Sequence, residues 1–222
     1  RMETTTDTSK GIRNIIAVYD LAAAGEVTEG LDWYDRAHRI ADRLSSQYNV
    51  DIELAAGVIA ALSPNNRWER NVVDAENIIR AYIAGTADDA LNVKVCTYGK
   101  MKAKAVQILD QGNFTDAADI ATILNGQKIT AFFWCIMQSE DHVCIDGHAY
   151  SIWFGDRLTM KEVPNIGKRL WSNIEEDYVA ATDIINERDE WKTPDQDNAR
   201  LSPYQVQAIT WCAWRRLHGV SK

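Results

Sequence analysis

Two residues with complementary chemistry, Lys128 and Asp146, lie eighteen positions apart in the second half of the chain. A lysine amine that desolvation or a neighbouring cation keeps partly neutral is a nucleophile, and its attack on a sugar C1′ gives an aminal and then a Schiff base. A carboxylate near C1′ stabilises oxocarbenium-like charge or deprotonates the nucleophile, as in sugar hydrolysis. Residues of these two types can therefore act at a glycosidic carbon, although each can equally be a plain structural residue, a surface lysine or a helix cap.

Helices on either side of a tight turn must position Lys128. The pattern predicts a helix that ends before Asn125-Gly126 and a second helix over residues 127–137, with Lys128 in its first turn. The short apolar run 143–145 then leads to Asp146, which is expected to begin a helix over residues 147–154. The helix dipole there favours the ionised carboxylate.

Two segments upstream of Lys128 also contain marked helix ends or helix starts. The pattern predicts a short apolar helix over residues 51–62, which Ser63-Pro64-Asn65-Asn66 stops because proline disfavours helical backbone in the residue before it. Residues 98–105 open another helix with three lysines at alternate positions, Lys100, Lys102 and Lys104.

In this order, the motifs resemble the helix-hairpin-helix DNA glycosylase superfamily, and its endonuclease III-like branch most closely. In that family a lysine opens the helix after the hairpin, and an aspartate in a V-D-T-H-like sequence begins a helix eighteen residues later. Residues 55–65 look like its apolar helix ending in L-S-x-Q, and residues 98–105 look like its Y/F-x-x-K-A helix start. The resemblance covers about residues 50–157, roughly half of the chain.

The resemblance implies roles for particular residues. Lys128 and Asp146 would be catalytic. Asn65 falls on the family's glutamine, which wedges into the DNA stack where the target base has left. DNA contacts are expected at Asn65, Asn66, Arg67, Lys100, Lys102, Lys104, Gly126 and Gln127. A base must be flipped out of the duplex into a pocket, for which the candidates are Trp68, Trp153 and His148.

The chain departs from the family pattern in three places. Asn125-Gly126-Gln127 stands where the family usually has P-G-V-G-R, and Gly147 replaces the threonine beside the aspartate. The four-cysteine motif of the family's iron–sulfur cluster is absent from the sequence. The resemblance therefore implies a cluster-free member with no cofactor and no metal.

Composition limits the function classes. A net charge of −8 argues against a protein that coats nucleic acid by charge alone, although it permits a local basic strip. No run approaches the ~18 apolar residues of a membrane helix, and the start lacks the apolar core of a signal peptide. The four scattered cysteines fit free thiols. We expect a cytoplasmic monomer with DNA as its partner.

Few glycines and prolines favour long helices, and the pattern predicts an all-α chain of nine or ten. A break is expected near residues 25–30, a loop over 85–98 and a capping box at Ser202. The expected fold is bilobed, with residues 46–137 forming one helical lobe and residues 1–45 plus 138–222 the other. DNA would lie over the cleft between the lobes, which would hold the active site.

Plainer interpretations stay open for each residue. Asp146 can be only a helix cap, Lys128 a surface lysine, and Asn65 a turn residue. The tryptophans of the last helix, Trp211 and Trp214, are expected in the core. The expected function is a DNA glycosylase with AP-lyase activity. The alternatives are a base-modifying enzyme on the same scaffold without base release, and a non-catalytic DNA-binding or interaction module.

Overall fold

The computed structural model describes residues 8–111, 116–188 and 200–220, and these residues form helices and no strands, as the composition predicts. There are eleven helices in the described residues, slightly more than expected. They are α1 (Lys10–Asp20), α2 (Ala24–Tyr48), α3 (Ile52–Ala61), α4 (Trp68–Ala84), α5 (Ala87–Leu91), α6 (Gly99–Asp110), α7 (Ala117–Leu124), α8 (Gln127–Ile136), α9 (Gly147–Phe154), α10 (Lys168–Asn186) and α11 (Pro203–Leu217).

Several boundaries agree with the sequence pattern. The apolar pattern predicts a helix over residues 68–84, and α4 has these bounds; α9 also has its expected bounds, and Ser202 begins α11 with the expected capping box. The same pattern predicts a helix over about residues 171–191, which corresponds to α10, a helix that begins and ends a few residues earlier. Thr115 is predicted to cap the helix before the hairpin, and residues 192–200 are predicted to be a polar linker. Thr115 and most of that linker lie outside the described residues, and the observed N-cap of α7 is Asp116.

Two expectations were wrong. The break near residues 25–30 is absent, since α1 ends at Asp20 and α2 runs continuously from Ala24. The loop expected over 85–98 contains the short helix α5. A capping box explains α5: the Thr86 N–H donates to Asp89 Oδ2 at 2.7 Å, while the Asp89 N–H donates to Thr86 Oγ1 at 3.3 Å.

The chain divides into two compact units, which we call the central unit (residues 35–139) and the terminal unit (residues 1–34 and 140–222). The lobe boundary expected at residue 46 falls inside α2, a helix that contributes to both units. The placement of an active site between two lobes stays a prediction.

Helix α3 is the core of the central unit. Every residue from Leu54 to Ala61 is buried, so this helix is apolar all round and packs against α4, α6, α7 and α8. Gly57 permits the close approach of α7, because a Cβ at this position would lie 2.7 Å from Ile120 Cγ2. The hairpin helices α7 and α8 are thus anchored on α3.

The terminal unit has its own core, built where α1 packs against α9, α10 and α11. The largest fully buried side chain in it is that of Tyr178. The run that precedes Asp146 belongs to the same core, since Val143 and Ile145 are both buried. The start of α9 is therefore fixed from within the unit.

The first part of α2 packs closely on α11 through Gly30, and this packing yields a stability prediction. A Cβ at Gly30 would lie 2.6 Å from the Cα of Ile209, which is too close for the two backbones to keep their positions. Gly30→Ala should therefore destabilise the protein by about 2 kcal/mol, as overpacked substitutions do. The free energy of unfolding from urea titration measures this.

Gly25 is the matched control, because it lies in the same helix and a Cβ there would meet nothing within 4 Å. Gly25→Ala should be neutral or should stabilise by up to about 1 kcal/mol. Equal effects of the two substitutions would show that α2 does not approach α11 this closely.

Candidate functional site

Asp146 is the N-cap of α9, which confirms the expectation that it begins a helix. Its Oδ1 accepts a hydrogen bond from the backbone N–H of Ala149 at 2.8 Å. The residues before it are held as well, since the Val143 N–H donates to Glu175 Oε2 at 3.0 Å. The carboxylate is therefore fixed relative to the helix start.

The second oxygen of Asp146 accepts a hydrogen bond from the indole Nε1–H of Trp211 at 3.1 Å. Both tryptophans of α11 were expected in the core. Trp214 is buried there, whereas Trp211 is only partly buried, so the expectation was wrong for Trp211. The ring of His148 lies edge-on to Trp211, with ring centroids 6.3 Å apart. Asp146, His148 and Trp211 thus form one group in the terminal unit.

Sequence reasoning missed Trp211 as a partner of Asp146. The signal available was a four-residue spacing on the last helix, where Gln207, Trp211 and Arg215 share one face. Arg215 extends this group, because its Cζ lies 4.4 Å from the centroid of the Trp211 ring. Spacing alone could not show that this face points at residue 146, which is 65 positions away.

The buried hydroxyl of Tyr178 is affected by the charge of Asp146. Its hydroxyl donates to the carbonyl of Ala149 at 2.9 Å. Burial, and then the negative charge of Asp146, raise the pKa of Tyr178 well above its ordinary value. Tyr178 therefore serves the terminal unit as a buried hydrogen-bond donor to α9.

Lys128 lies in the central unit, in the first turn of α8, where its side chain is exposed. The connection from α7 has two residues, of which Asn125 is left-handed (φ 51°) and Gly126 is the N-cap of α8. Gly126 has no side chain to cap the first N–H groups of α8. Gln127, the first residue of α8, is partly buried.

The proposed base-pocket residues are in different units. Trp68 begins α4 in the central unit and lies edge-on to Phe132, with ring centroids 6.2 Å apart. Phe132 is one helical turn after Lys128, so Trp68 is on the lysine's side of α8. Trp153 is in the terminal unit, where its indole N–H donates to Asp177 Oδ2 at 2.7 Å and its ring packs on the core.

In the turn after α3, the side chain of Asn65 is exposed and that of Asn66 is hydrogen-bonded within the central unit. Asn65 is exposed with left-handed backbone (φ 50°), and Arg67 is an exposed N-cap of α4. The Asn66 amide points inward instead, because its Nδ2 donates to the Leu62 carbonyl at 3.1 Å and to Asp74 Oδ2 at 3.2 Å. Asn66 thus holds the turn, and Asn65 remains the candidate for DNA contact.

Asp74, a residue that sequence reasoning missed, connects this turn to the rest of the central unit. Its side chain is fully buried, and it accepts hydrogen bonds from Arg70 Nε at 2.7 Å and from the Cys96 N–H at 2.9 Å as well as from Asn66. The Thr97 hydroxyl donates to the Pro64 carbonyl at 2.6 Å and adds a second brace.

The three lysines of α6 have different environments. Lys100 is exposed, whereas the ammonium of Lys102 donates to the Val93 carbonyl at 3.1 Å. The ammonium of Lys104 donates to the carbonyl of Leu124, the last residue of α7. A lysine at that position offsets the negative end of the α7 dipole. Lys102 and Lys104 therefore have internal partners, and phosphate contact by this strip stays a prediction.

Two other kinds of site are absent from the described ranges. No helix there is long and apolar enough to span a membrane. In the same part of the chain, histidine, cysteine and acidic side chains form no group of three that could hold a metal ion.

The model of a family described as "Family of unknown function (DUF7178)" matches residues 1–218. The chain belongs to this family. No curated protein and no solved structure matches it. The DUF7178 description names no activity, and the helix-hairpin-helix resemblance stays a prediction.

The bonds around Asp74 predict a large effect of its substitution on stability. Asp74→Asn replaces one acceptor oxygen by a donor and removes the charge that pairs with Arg70, so we expect a decrease of about 3 kcal/mol in the free energy of unfolding. Urea titration of the full chain measures it. Asp88→Asn, on an exposed aspartate of α5, should change stability by less than about 0.5 kcal/mol. Similar decreases in both would contradict a special role for Asp74.

Proposed function

We propose that this protein is a DNA glycosylase, and that Asp146 supplies the carboxylate that stabilises positive charge at C1′ while a damaged or modified base departs. The observation that carries the proposal is the geometry of Asp146, whose two oxygens are held by Ala149 N–H and Trp211 Nε1–H. A helix cap alone needs only the first of these bonds.

The environment of Asp146 suits an electrostatic role. A carboxylate that is already oriented by hydrogen bonds need not reorganise when positive charge develops beside it. The rings of Trp211 and His148 are next to it and are only partly buried. Such aromatic surfaces suit the stacking of a base that has left the duplex.

The proposal includes a helix-hairpin-helix arrangement in the central unit. Helices α7 and α8 are joined by Asn125 and Gly126, and the N-terminus of a helix whose cap residue has no side chain is suited to a phosphate. The clamp from Lys104 to Leu124 holds the end of α7 from which this connection starts.

The lyase part of the proposal assigns the nucleophile to Lys128. Its side chain is exposed in the protein alone. A lysine amine is a nucleophile when it is desolvated or lies beside another cation, so the proposal includes burial of Lys128 by the bound DNA. A glycosylase that uses water instead would need Asp146 and would not need this amine.

The two alternatives predict different products. A base-modifying enzyme would return intact DNA with an altered base, and a binding module would return unchanged DNA. Only a glycosylase leaves an abasic site, so alkaline cleavage of lesion-bearing duplexes, tested as a panel, distinguishes the three.

The Asp146 assignment predicts that chemistry fails while folding is retained. In Asp146→Asn the amide oxygen can still cap Ala149, whereas the amide nitrogen meets the Trp211 N–H as donor against donor. We expect single-turnover base release to fall by about 100-fold or more, since the charge is removed. Trp211→Phe, which keeps an aromatic ring and removes the donor, should reduce release less.

The control for this prediction is Asp116→Asn, on the N-cap aspartate of α7, which accepts from the Ala118 N–H at 2.9 Å. That variant should release base at the rate of the unsubstituted protein. Unchanged base release in Asp146→Asn would show that Asp146 is only a cap.

The Lys128 assignment predicts a covalent trap. If its amine attacks C1′, borohydride should reduce the imine and join protein to DNA permanently. Lys128→Gln should abolish the trap and strand cleavage while DNA binding is largely retained, and Lys94→Gln, on another exposed lysine, should change neither. Gel electrophoresis of labelled DNA measures both.

Two outcomes would overturn the lyase assignment. Base release without trapping in the unsubstituted protein would demote Lys128 to a positioning residue. Trapping that persists in Lys128→Gln would identify another amine as the nucleophile.

A further inference from the structure

The loop between α9 and α10, residues 155–167, carries the most exposed large apolar side chain of the described residues. Met160 is 81% exposed, and the next in order, Leu21, is 57% exposed. Three other apolar residues of the loop pack instead on the core of the terminal unit, and they are Leu158, Val163 and Ile166. Exposure is therefore a property of Met160 itself, since the rest of the loop buries its apolar side chains.

Hydrogen bonds close the turn that presents Met160. The Thr159 N–H donates to Glu162 Oε2 at 2.7 Å, which is one half of a capping box. The N–H groups of Glu162 and Val163 donate to the Thr159 carbonyl at 3.0 and 3.1 Å. Because Leu158 and Val163 pack on the core on either side, the turn has a fixed base with Met160 at its apex.

This apex lies next to the proposed reaction centre. The sulfur of Met160 is 3.4 Å from the position that a Cβ would take on Gly147, and Val163 Cγ2 is 3.6 Å from the same position. Gly147 is the first residue of α9 and directly follows Asp146. A DNA strand whose sugar is held at Asp146 therefore passes close to Met160.

The segment around Met160 is basic. Residues 155–169 contain four basic and two acidic side chains, although the whole chain has 24 basic and 32 acidic ones. All four basic residues are exposed, and none forms an ion pair with another residue that the structure describes; they are Arg157, Lys161, Lys168 and Arg169. This segment therefore attracts a polyanion, whereas the chain as a whole repels one.

Within DNA, the faces of the bases are the surface that can bury a methionine. The sugar-phosphate backbone is polar and charged, whereas apolar side chains, methionine among them, insert between base steps in several protein–DNA complexes. Methionine is unbranched and adaptable, so it can enter a narrow space. Insertion is easiest beside a nucleotide that has left the stack, because stacking is already interrupted there.

We propose that Met160 inserts between the bases beside the nucleotide held at Asp146, as an apolar wedge from the terminal unit. The proposal rests on the proposed function and deepens it, since it names a residue that contacts the substrate next to the departing base.

The test compares the affinity of the protein for two duplexes by fluorescence anisotropy. One duplex is intact, and the other contains a tetrahydrofuran abasic analogue, from which no base can be released. The unsubstituted protein should prefer the abasic analogue. Met160→Ala should reduce the affinity for that analogue by about 10-fold, because its side chain is too short to insert, and should change the affinity for the intact duplex by less than about 2-fold.

Three further variants separate a wedge from general packing. Met160→Leu keeps an apolar side chain and should retain most of the preference. Met160→Gln keeps the length and flexibility but is polar, so it should behave like Met160→Ala. Leu21→Ala removes another exposed apolar side chain of the terminal unit and should leave both affinities unchanged. Thermal unfolding of each variant establishes that it is folded.

Several results would overturn the wedge. They are equal affinity of the unsubstituted protein for the two duplexes, an unchanged preference in Met160→Ala or Met160→Gln, and an equal loss in Leu21→Ala. The same holds if the protein binds vesicles of phosphatidylcholine and phosphatidylserine, and Met160→Ala abolishes this binding without changing the affinity for DNA. The loop would then contact a membrane.

Failure of the proposed function has a different signature. A preference for the abasic analogue that depends on Met160, without base release from any lesion in the panel, would refute the glycosylase and leave the wedge. Base release from a lesion, with affinities that do not depend on Met160, would refute only the wedge.

Discussion

The hydrogen bonds of the Asp146 carboxylate are the interaction on which the candidate site depends. One oxygen caps α9 through Ala149 and the other receives the Trp211 indole from α11, so a single side chain connects two helices of the terminal unit. The charge also acts on the interior, since it contributes to the raised pKa of Tyr178. The same hydrogen bonds therefore fix the carboxylate and hold the start of α9 against Trp211 of α11.

The central unit uses a different principle. Its core helix α3 is buried on every side, and apolar packing against four neighbouring helices stabilises it. Hydrogen bonds fix the turn at the end of that helix, where Asp74 accepts from Arg70, Asn66 and Cys96. The result is a turn with a rigid base and an exposed apex at Asn65.

The positions and partners of individual basic side chains say more about anion binding than the net charge of the chain does. The chain is acidic, yet α6 places Lys100 at the surface and the terminal unit leaves Arg215 without an acidic partner in the part of the chain that the structure describes. Lys102 and Lys104, which look identical to Lys100 in the sequence, serve backbone carbonyls instead. Only the burial and partners of each lysine distinguish a structural cation from a candidate phosphate ligand.

Local rules were sufficient for much of the helical framework. The apolar period of α4, the proline after α3, the Asp146 cap and the Ser202 capping box each involve residues within a few positions, and each was predicted from the sequence. The same rules were wrong at Gly30, which lies inside α2, where the missing side chain permits close packing on Ile209 and does not mark a break in the helix. Tertiary structure alone decided that Trp211 meets Asp146 and that Asp74 holds the Asn66 turn. These partners are distant along the chain or on different elements, and their bonds depend on how helices pack, a property that no local pattern encodes.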